Sequence, residues 1–462
     1  MTLWTPELLQ GDLPAYEAIA TAIEDALGRG DLRGGEKLPS HRWLARRLGV
    51  AVGTVTRGYE LARKRGLLTG EVGRGSFVRE RSWLVPSRIS YDRDAGSRVD
   101  LFQNLPVAVA EEEEAWREAL GALAAAPELG SRLNQPWSRP SRRVQVAASG
   151  WLTGRGLSPD PEAIVEVPGV QVAVAGVLEA LTNPGDGIAF GALSHPIVLA
   201  LAEKAGLRSV PLHQDEEGLL PEALAAECAR RRLKVLVCEP TVQNPTASIM
   251  SLERRRHIAD LAREHDFWIV ETDASTPFFT PPPAPIAALA PERTFHLAEL
   301  WLAFSLGLRI AFLVTPAKLV ATTATAVATL GGLASRLAGE VCARWIRTGA
   351  AERIIAARGI ELAARFDLVR AALATHRFQG CPQGHHVWLE LPAGWRSEGF
   401  VAAADRAGIA VTGSGWFQRD RSNPVDAVRV CFGNAPGRDL LERALERLVE
   451  VLESRPAAGP FL

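Results

Sequence analysis

The chain has little that would carry it across a membrane or cross-link it covalently. No run of about 18 apolar residues is free of charge, so no stretch reads as a membrane-spanning helix. The first residues, MTLWTPELLQGD, lack a basic segment leading into an apolar core, which argues against a secretory leader and for the cytoplasm. Cysteine is sparse. Cys228, Cys238, Cys342, Cys381 and Cys431 stand far apart with no C-x-x-C spacing, which argues against a disulfide framework and a zinc site and leaves them as buried small hydrophobes. No repeat of fixed period is visible. Tyrosine is confined to Tyr16, Tyr59 and Tyr91, and after residue 100 only Lys204, Lys234 and Lys318 supply a side-chain amine.

What is present is ample apolar material. With 462 residues, 47% hydrophobic and 23% charged, the chain can build a large core and more than one domain. Ahead of the rest, Pro14–Gly28 carries Tyr16, Ile19, Ala20, Ile23 and Leu27 at helical spacing. Within Leu38–Val78, Ser40 precedes a run in which Trp43, Leu44 and Leu48 recur at helical spacing, so Ser40 reads as an N-cap and Gly49 as the stop. A second helix follows within about four residues, with Val52, Val55, Tyr59 and Ala62 on one face. Two short helices joined by a glycine-containing turn make a helix-turn-helix. Leu67–Thr69 and Ser76–Val78 read as strands of a wing around Gly73-Arg74-Gly75. Between Ser40 and Glu80, nine basic residues face three glutamates, a local surplus on a chain whose formal charge is −1. Such a surplus marks a phosphate-binding face or a solvated helix pair; the turn and the Gly-Arg-Gly tip favour the first.

The same residues carry a resemblance. Pro14–Ala20, Gly30-Asp31-Leu32, Gly35–Ser40, Leu48-Gly49-Val50, Thr54–Arg57 and Gly73–Val78 are similar to the winged-helix head of GntR-type bacterial regulators. The resemblance implies a double-stranded DNA operator as partner, with Ser40, Arg42, Arg47, Thr54, Thr56 and Arg57 facing it and Arg74 at the wing. Arg57 either forks onto a guanine edge or clamps phosphate, and phosphate contacts are the commoner kind.

Residues 81–99 have mixed charge and no sustained period and read as a linker after a head at 1–80. Beyond it the texture alternates. Val165–Val167, Gly187–Phe190, Val235–Cys238, Trp268–Val270, Phe295–Leu297 and Ile310–Val314 read as short buried strands, with amphipathic helices at Gln171–Leu181, His195–Ala205 and Leu252–His265 between them. That alternation predicts an α/β domain, at 100–345, with a mostly parallel sheet covered on both faces. A helical stretch over Pro316–Leu373 leads into a small α+β subdomain, at 346–462, with strands Val387–Leu391 and Ala427–Cys431 and a helix Asp439–Leu452.

This region resembles the fold-type I aminotransferase module of MocR-like regulators within the GntR group. The residues that match include Gln243–Thr246, Ser251–Arg256, Ala262–Asp266, Gly307-Leu308-Arg309 and Val428-Arg429-Val430. In that family a lysine seven residues before the arginine binds pyridoxal phosphate covalently; here the position holds Leu302, which has no amine. Glu299 stands where the family has a phosphate-binding serine, Pro168-Gly169-Val170 replaces a Ser-Gly-Thr turn, and Thr272 replaces the aspartate that keeps the pyridine protonated. Asn244, Arg309 and Arg429 keep the family's types. Either they hold another acidic ligand, or Asn244 fixes the Asn-Pro turn and Arg309 pairs with Glu299 as a buried salt bridge, the favoured reading for that pair; Arg429 stands open between the two. His195 occupies a ring-stacking position and reads as structural.

The resemblance therefore implies a homodimeric, sequence-specific transcriptional regulator, with no catalysis, no covalent cofactor, no metal, no membrane partner and an unidentified small-molecule effector. The alternatives are a pyridoxal-phosphate-dependent aminotransferase carrying a DNA-binding head, and a non-covalent sensor of that cofactor working through Arg309.

Overall fold

The computed structural model describes residues 4–5, 14–29, 32, 36–64, 67–71, 75–78, 98–134, 141–332, 334–418 and 425–454. Two compact units divide between Tyr91 and Asp92. Arg74, Gly73 and residues 81–97 of the expected linker lie outside the described residues.

In the first unit, helices α1 (Ala15–Arg29), α2 (His41–Leu48) and α3 (Val52–Lys64) precede an antiparallel pair, β1 (Leu68–Glu71) and β2 (Gly75–Val78). Ile19, Ile23 and Ala26 of α1 recur every three or four residues and meet Val55, Tyr59 and Ala62 of α3, all of them fully buried. Each large aliphatic side chain so buried stabilises the unit by about 1.5–3 kcal/mol. The Ser40 hydroxyl accepts from the Trp43 N–H at 3.4 Å, and Gly49 closes α2 in the left-handed region at φ 66°, which a side chain would resist. The Tyr59 hydroxyl, buried inside α3's contact face, donates to the Pro39 carbonyl at 3.0 Å and so ties the start of α2 to α3.

The second unit is built on a seven-stranded sheet. Its strand order is Ile164–Val167, Ala311–Val314, Thr294–Glu299, Trp268–Asp273, Leu233–Cys238, Gly187–Gly191 and Arg208–Leu212. Six strands are parallel; Ala311–Val314 alone runs antiparallel, between Ile164–Val167 and Thr294–Glu299. It is the one exception in the mostly parallel sheet that the alternation predicts, because the chain after Glu299 returns directly alongside its predecessor. Arg208–Leu212 was not foreseen because it contains Pro211; as an edge strand it tolerates a missing donor. Valine, leucine and phenylalanine line both faces, as a doubly covered sheet requires.

The predicted helical stretch is three helices, Val320–Thr329, Arg336–Thr348 and Ala350–Ala372, the last two separated by Gly349 at φ 74°. The longest of them serves two cores. Ile354 and Ile355 pack with Trp345 and Phe304 beside the sheet, whereas Leu362 and Val369 pack with Val387, Val430 and Leu448 of the C-terminal subdomain. That subdomain has a four-stranded sheet containing His386–Glu390 and Ala427–Cys431, and helices Ser397–Arg406 and Arg438–Glu453. Residues 98–101 also belong to it rather than to a linker or to the large sheet. Arg98 pairs with Asp405, Val99–Asp100 pairs with Ile409–Ala410, and Leu101 is buried in the same core.

Candidate functional site

The head presents a cationic face. Arg42, Arg46 and Arg47 on α2 and Arg57 and Arg63 on α3 are exposed, and among the described residues none of them pairs with a carboxylate. Ser40 is exposed at the start of α2 and Thr54 is half-buried near the start of α3. Thr56 is half-buried, its hydroxyl donating to the Val52 carbonyl at 3.1 Å and lying 3.1 Å from His41 Nδ1. With the Thr56 proton given to Val52, His41 Nδ1 carries the hydrogen and donates; the ring also meets Tyr59 edge-on at 4.9 Å. Burial and then Arg63 lower the His41 pKa, which keeps this neutral donor in place.

In the body, two cavities open at the carboxyl ends of the sheet strands, where ligands of open α/β sheets sit. One is lined by Trp151, Arg155, Asp273, His296 and Glu299, the other by His195, Glu239, Gln243, Asn244 and Thr272. Asn244 is held at both ends: its N–H donates to Glu239 at 3.0 Å, and its Oδ1 accepts from Arg429 at 2.8 Å. Arg429 is buried and also donates to the Phe102 carbonyl at 2.8 Å, while its Nε has no hydrogen-bond partner among the described residues. His195 caps the helix Pro196–Lys204, its Nδ1 accepting from the Ile197 N–H at 3.2 Å; burial and the Arg429 cation lower its pKa to about 4. The structural reading of His195 thus has a definite bond behind it, and the neutral ring still borders the cavity.

The favoured Arg309–Glu299 salt bridge does not form. Arg309 is exposed, its backbone in the left-handed region at φ 44°, and it lines neither cavity. Glu299 is buried and accepts instead from Trp301 Nε1 at 2.9 Å; burial, with help from Asp273, raises its pKa to about 7. Glu239 is raised well above its ordinary value by burial and then by Glu299. Leu302 is 2% exposed, Thr272 is buried, and none of Lys204, Lys234 and Lys318 lines either cavity. Lys318 lies exposed over the Trp268 ring.

Sequence reasoning missed one charged pair. Glu271 accepts from the N–H groups of Ile286 and Ala287 and lies 3.0 Å from His296 Nδ1, both side chains buried. Burial, the largest single influence, acts to raise Glu271 and lower His296, but their mutual hydrogen bond and charge attraction, with the Ile286 and Ala287 N–H groups on Glu271 and the Asp273 charge on His296, together outweigh it, leaving Glu271 lowered and His296 raised. The signal is faint: a histidine on the predicted strand Phe295–Leu297 and a carboxylate just past the predicted strand Trp268–Val270, opposite each other only once the register is known. Among the described residues no group of three His, Cys, Asp or Glu side chains is arranged to hold a metal ion, and no helix is long and apolar enough to cross a membrane.

Comparison with known proteins decides the two units separately. Residues 15–78 match the family of bacterial regulatory proteins called the gntR family, and residues 138–298 match aminotransferase class I and II. The chain joins a gntR-type DNA-binding domain to an aminotransferase-like domain. Over nearly its whole length this two-part chain is 28% identical to YdeF of Bacillus subtilis (strain 168), an uncharacterized HTH-type transcriptional regulator, with 97% of each chain covered. It is 24% identical to PdxR of Corynebacterium glutamicum, an HTH-type pyridoxine biosynthesis transcriptional regulator, over 72% of each. The aminotransferase-like fold superimposes on Pyrococcus horikoshii kynurenine aminotransferase with a TM-score of 0.71 at 22% identity, covering 78% of this chain and 91% of that one. Pyridoxal phosphate is the cofactor that this fold family implies.

Proposed function

We propose that this chain is a sequence-specific transcriptional regulator that binds double-stranded DNA as a homodimer, and that its aminotransferase-like body has lost the Schiff-base lysine and serves dimerisation and non-catalytic sensing of a small molecule. The observation that carries the first half is the set of exposed arginines, Arg42, Arg46, Arg47 and Arg57, free of carboxylate partners among the described residues, around a helix-turn-helix. The likeness to chains named as transcriptional regulators, over 97% of this chain for YdeF and 72% for PdxR, supports it.

The residues of the cleft do not fit a covalently held pyridoxal phosphate. Leu302 offers no amine, no tyrosine follows Tyr91, and Thr272 cannot hold a pyridinium proton. The cleft is lined by the carboxyl groups of Glu239, Glu299 and Asp273, which offer a phosphate dianion no positive charge, and Pro168 withholds a backbone donor at the entrance of helix Val170–Leu181. Arg309, exposed, gives the phosphate no enclosed counter-charge.

The test is binding of the full chain to a duplex from its own promoter region at two salt concentrations. Affinity should fall steeply as salt rises, because each neutralised phosphate releases a counterion. A flat response, or equal affinity for unrelated duplexes, overturns the proposal. Pyridoxal phosphate added to the same protein should leave no chromophore fixed by borohydride to Lys204, Lys234 or Lys318; a labelled lysine would overturn the second half.

A further inference from the structure

Arginines account for the grip of the head but not for its choice of sequence. In a helix-turn-helix the N-terminal residues of the second helix contact base edges. Here that helix, α3, begins Val52-Gly53-Thr54 after Ala51, and Ala51, Val52 and Gly53 are all exposed. Val52 is 44% exposed, and with Trp43 it makes up the exposed large hydrophobics among the head's described residues. Isolated exposed apolar residues are ordinary on a protein surface. This one stands at the exposed start of α3, on a head whose described arginines Arg42, Arg46, Arg47 and Arg57 are also exposed.

Two neighbours sharpen the point. Thr56 sits one turn after Val52 and gives its hydroxyl proton to the Val52 carbonyl, so it has no proton left to donate to a base. A Cβ added at Gly53 would meet nothing within 4 Å, so packing does not demand the glycine; its effect is to leave the helix surface flat beside Val52. The most exposed large side chain in the first turn of α3 is therefore apolar, on a low ledge next to Gly53. The major groove offers one apolar group that such a side chain can recognise, the C5-methyl of thymine.

We infer that Val52 reads a thymine methyl, so that each head selects a T at one fixed position of its half-site. This rests on the DNA-binding reading above. Full-length protein is used to enrich duplexes from a random library, and each thymine of an enriched duplex is then replaced by deoxyuridine, which removes the methyl and keeps the base pair. One position per half-site should lose about fourfold in affinity, the equivalent of ~0.8 kcal/mol for one buried carbon at ~1.4 kcal/mol per tenfold. Val52→Ala should be weaker on the thymine duplex and indifferent to deoxyuridine there. If deoxyuridine is tolerated at every position, or costs the variant as much as the parent chain, the inference is wrong while the DNA-binding reading stands. If no sequence is enriched at all, both fall. The deoxyuridine scan needs no variant, so a folding defect in Val52→Ala would leave it decisive.

Discussion

The two units treat charge in opposite ways. Among the described residues, the head leaves Arg42, Arg46, Arg47, Arg57 and Arg63 in water and buries an almost wholly apolar core in which Tyr59 is the large polar-tipped side chain. The body buries ions: Arg255 and Arg358 are 1% and 0% exposed, and Glu271, His296 and Glu299 lie beneath the cleft. Exposed charge costs little to keep and is free to act on a partner, whereas buried charge is fixed by its hydrogen bonds and is costly to disturb. The head is therefore tuned through its surface and the body through its interior.

The sharpest way to break this contrast is at Arg358. Its guanidinium donates to the carbonyls of Val107 at 2.8 Å, Leu302 at 2.9 Å and Phe304 at 2.8 Å, and pairs with Glu112. Arg358→Met should destabilise the body by about 3–5 kcal/mol, since it strands a carboxylate and three carbonyls. Urea unfolding of the full chain checks this, and the head should be unaffected. A change under 1 kcal/mol would mean that the buried ions are not holding the body together.

Next in size is Glu299. Its pKa in the folded chain, about 7, lies above the ordinary 4.5, so the folded form holds an extra proton in between. Stability owed to this group is greatest below the ordinary value and falls as pH rises through about 7, by roughly 3 kcal/mol in all. Glu299→Gln should therefore raise the melting temperature at pH 8 and change it little at pH 4.5. Equal effects at both values would refute the assignment.

On the head the effects are smaller and appear in binding. Arg57→Ala should weaken duplex binding by about 1–3 kcal/mol if it reads a base; if it touches only phosphate, it should lower the salt slope by about 1. Titrations at three salt concentrations separate the two. Ser40→Ala removes a cap whose bond is long, 3.4 Å, so about 0.5–1 kcal/mol of head stability is expected, at the low end for caps. Thermal unfolding followed by the head's own signal measures it.

Much of this was legible along the chain because it is local. Ser40 and Gly49 bracket α2 by their own chemistry, and the spacing of Val55, Tyr59 and Ala62 dictates which side of α3 is covered. The alternation of apolar runs and amphipathic helices likewise announced the sheet. What escaped was set by distance in sequence. Thr56 is recruited by His41 from fifteen residues away, and Glu271 finds His296 only because their strands pair in that register. Arg309 and Glu299 are ten residues apart and looked like natural partners, but the left-handed backbone at Arg309 belongs to a turn whose side chain ends in solvent.

The helix Ala350–Ala372 has a mechanical consequence. Because its first turns are cemented into the sheet's core and its later turns into the C-terminal subdomain, it works as an axle shared by two lobes, and Arg358 is the pin through it. Any closing of one lobe over the cleft must swing about that pin or bend the axle. The hinge is not the helix alone, since the Arg429 guanidinium reaches Asn244 at 2.8 Å and the Ser194 N–H reaches the Phe417 carbonyl at 2.9 Å, so a swing of either lobe must also strain or break these cross-links.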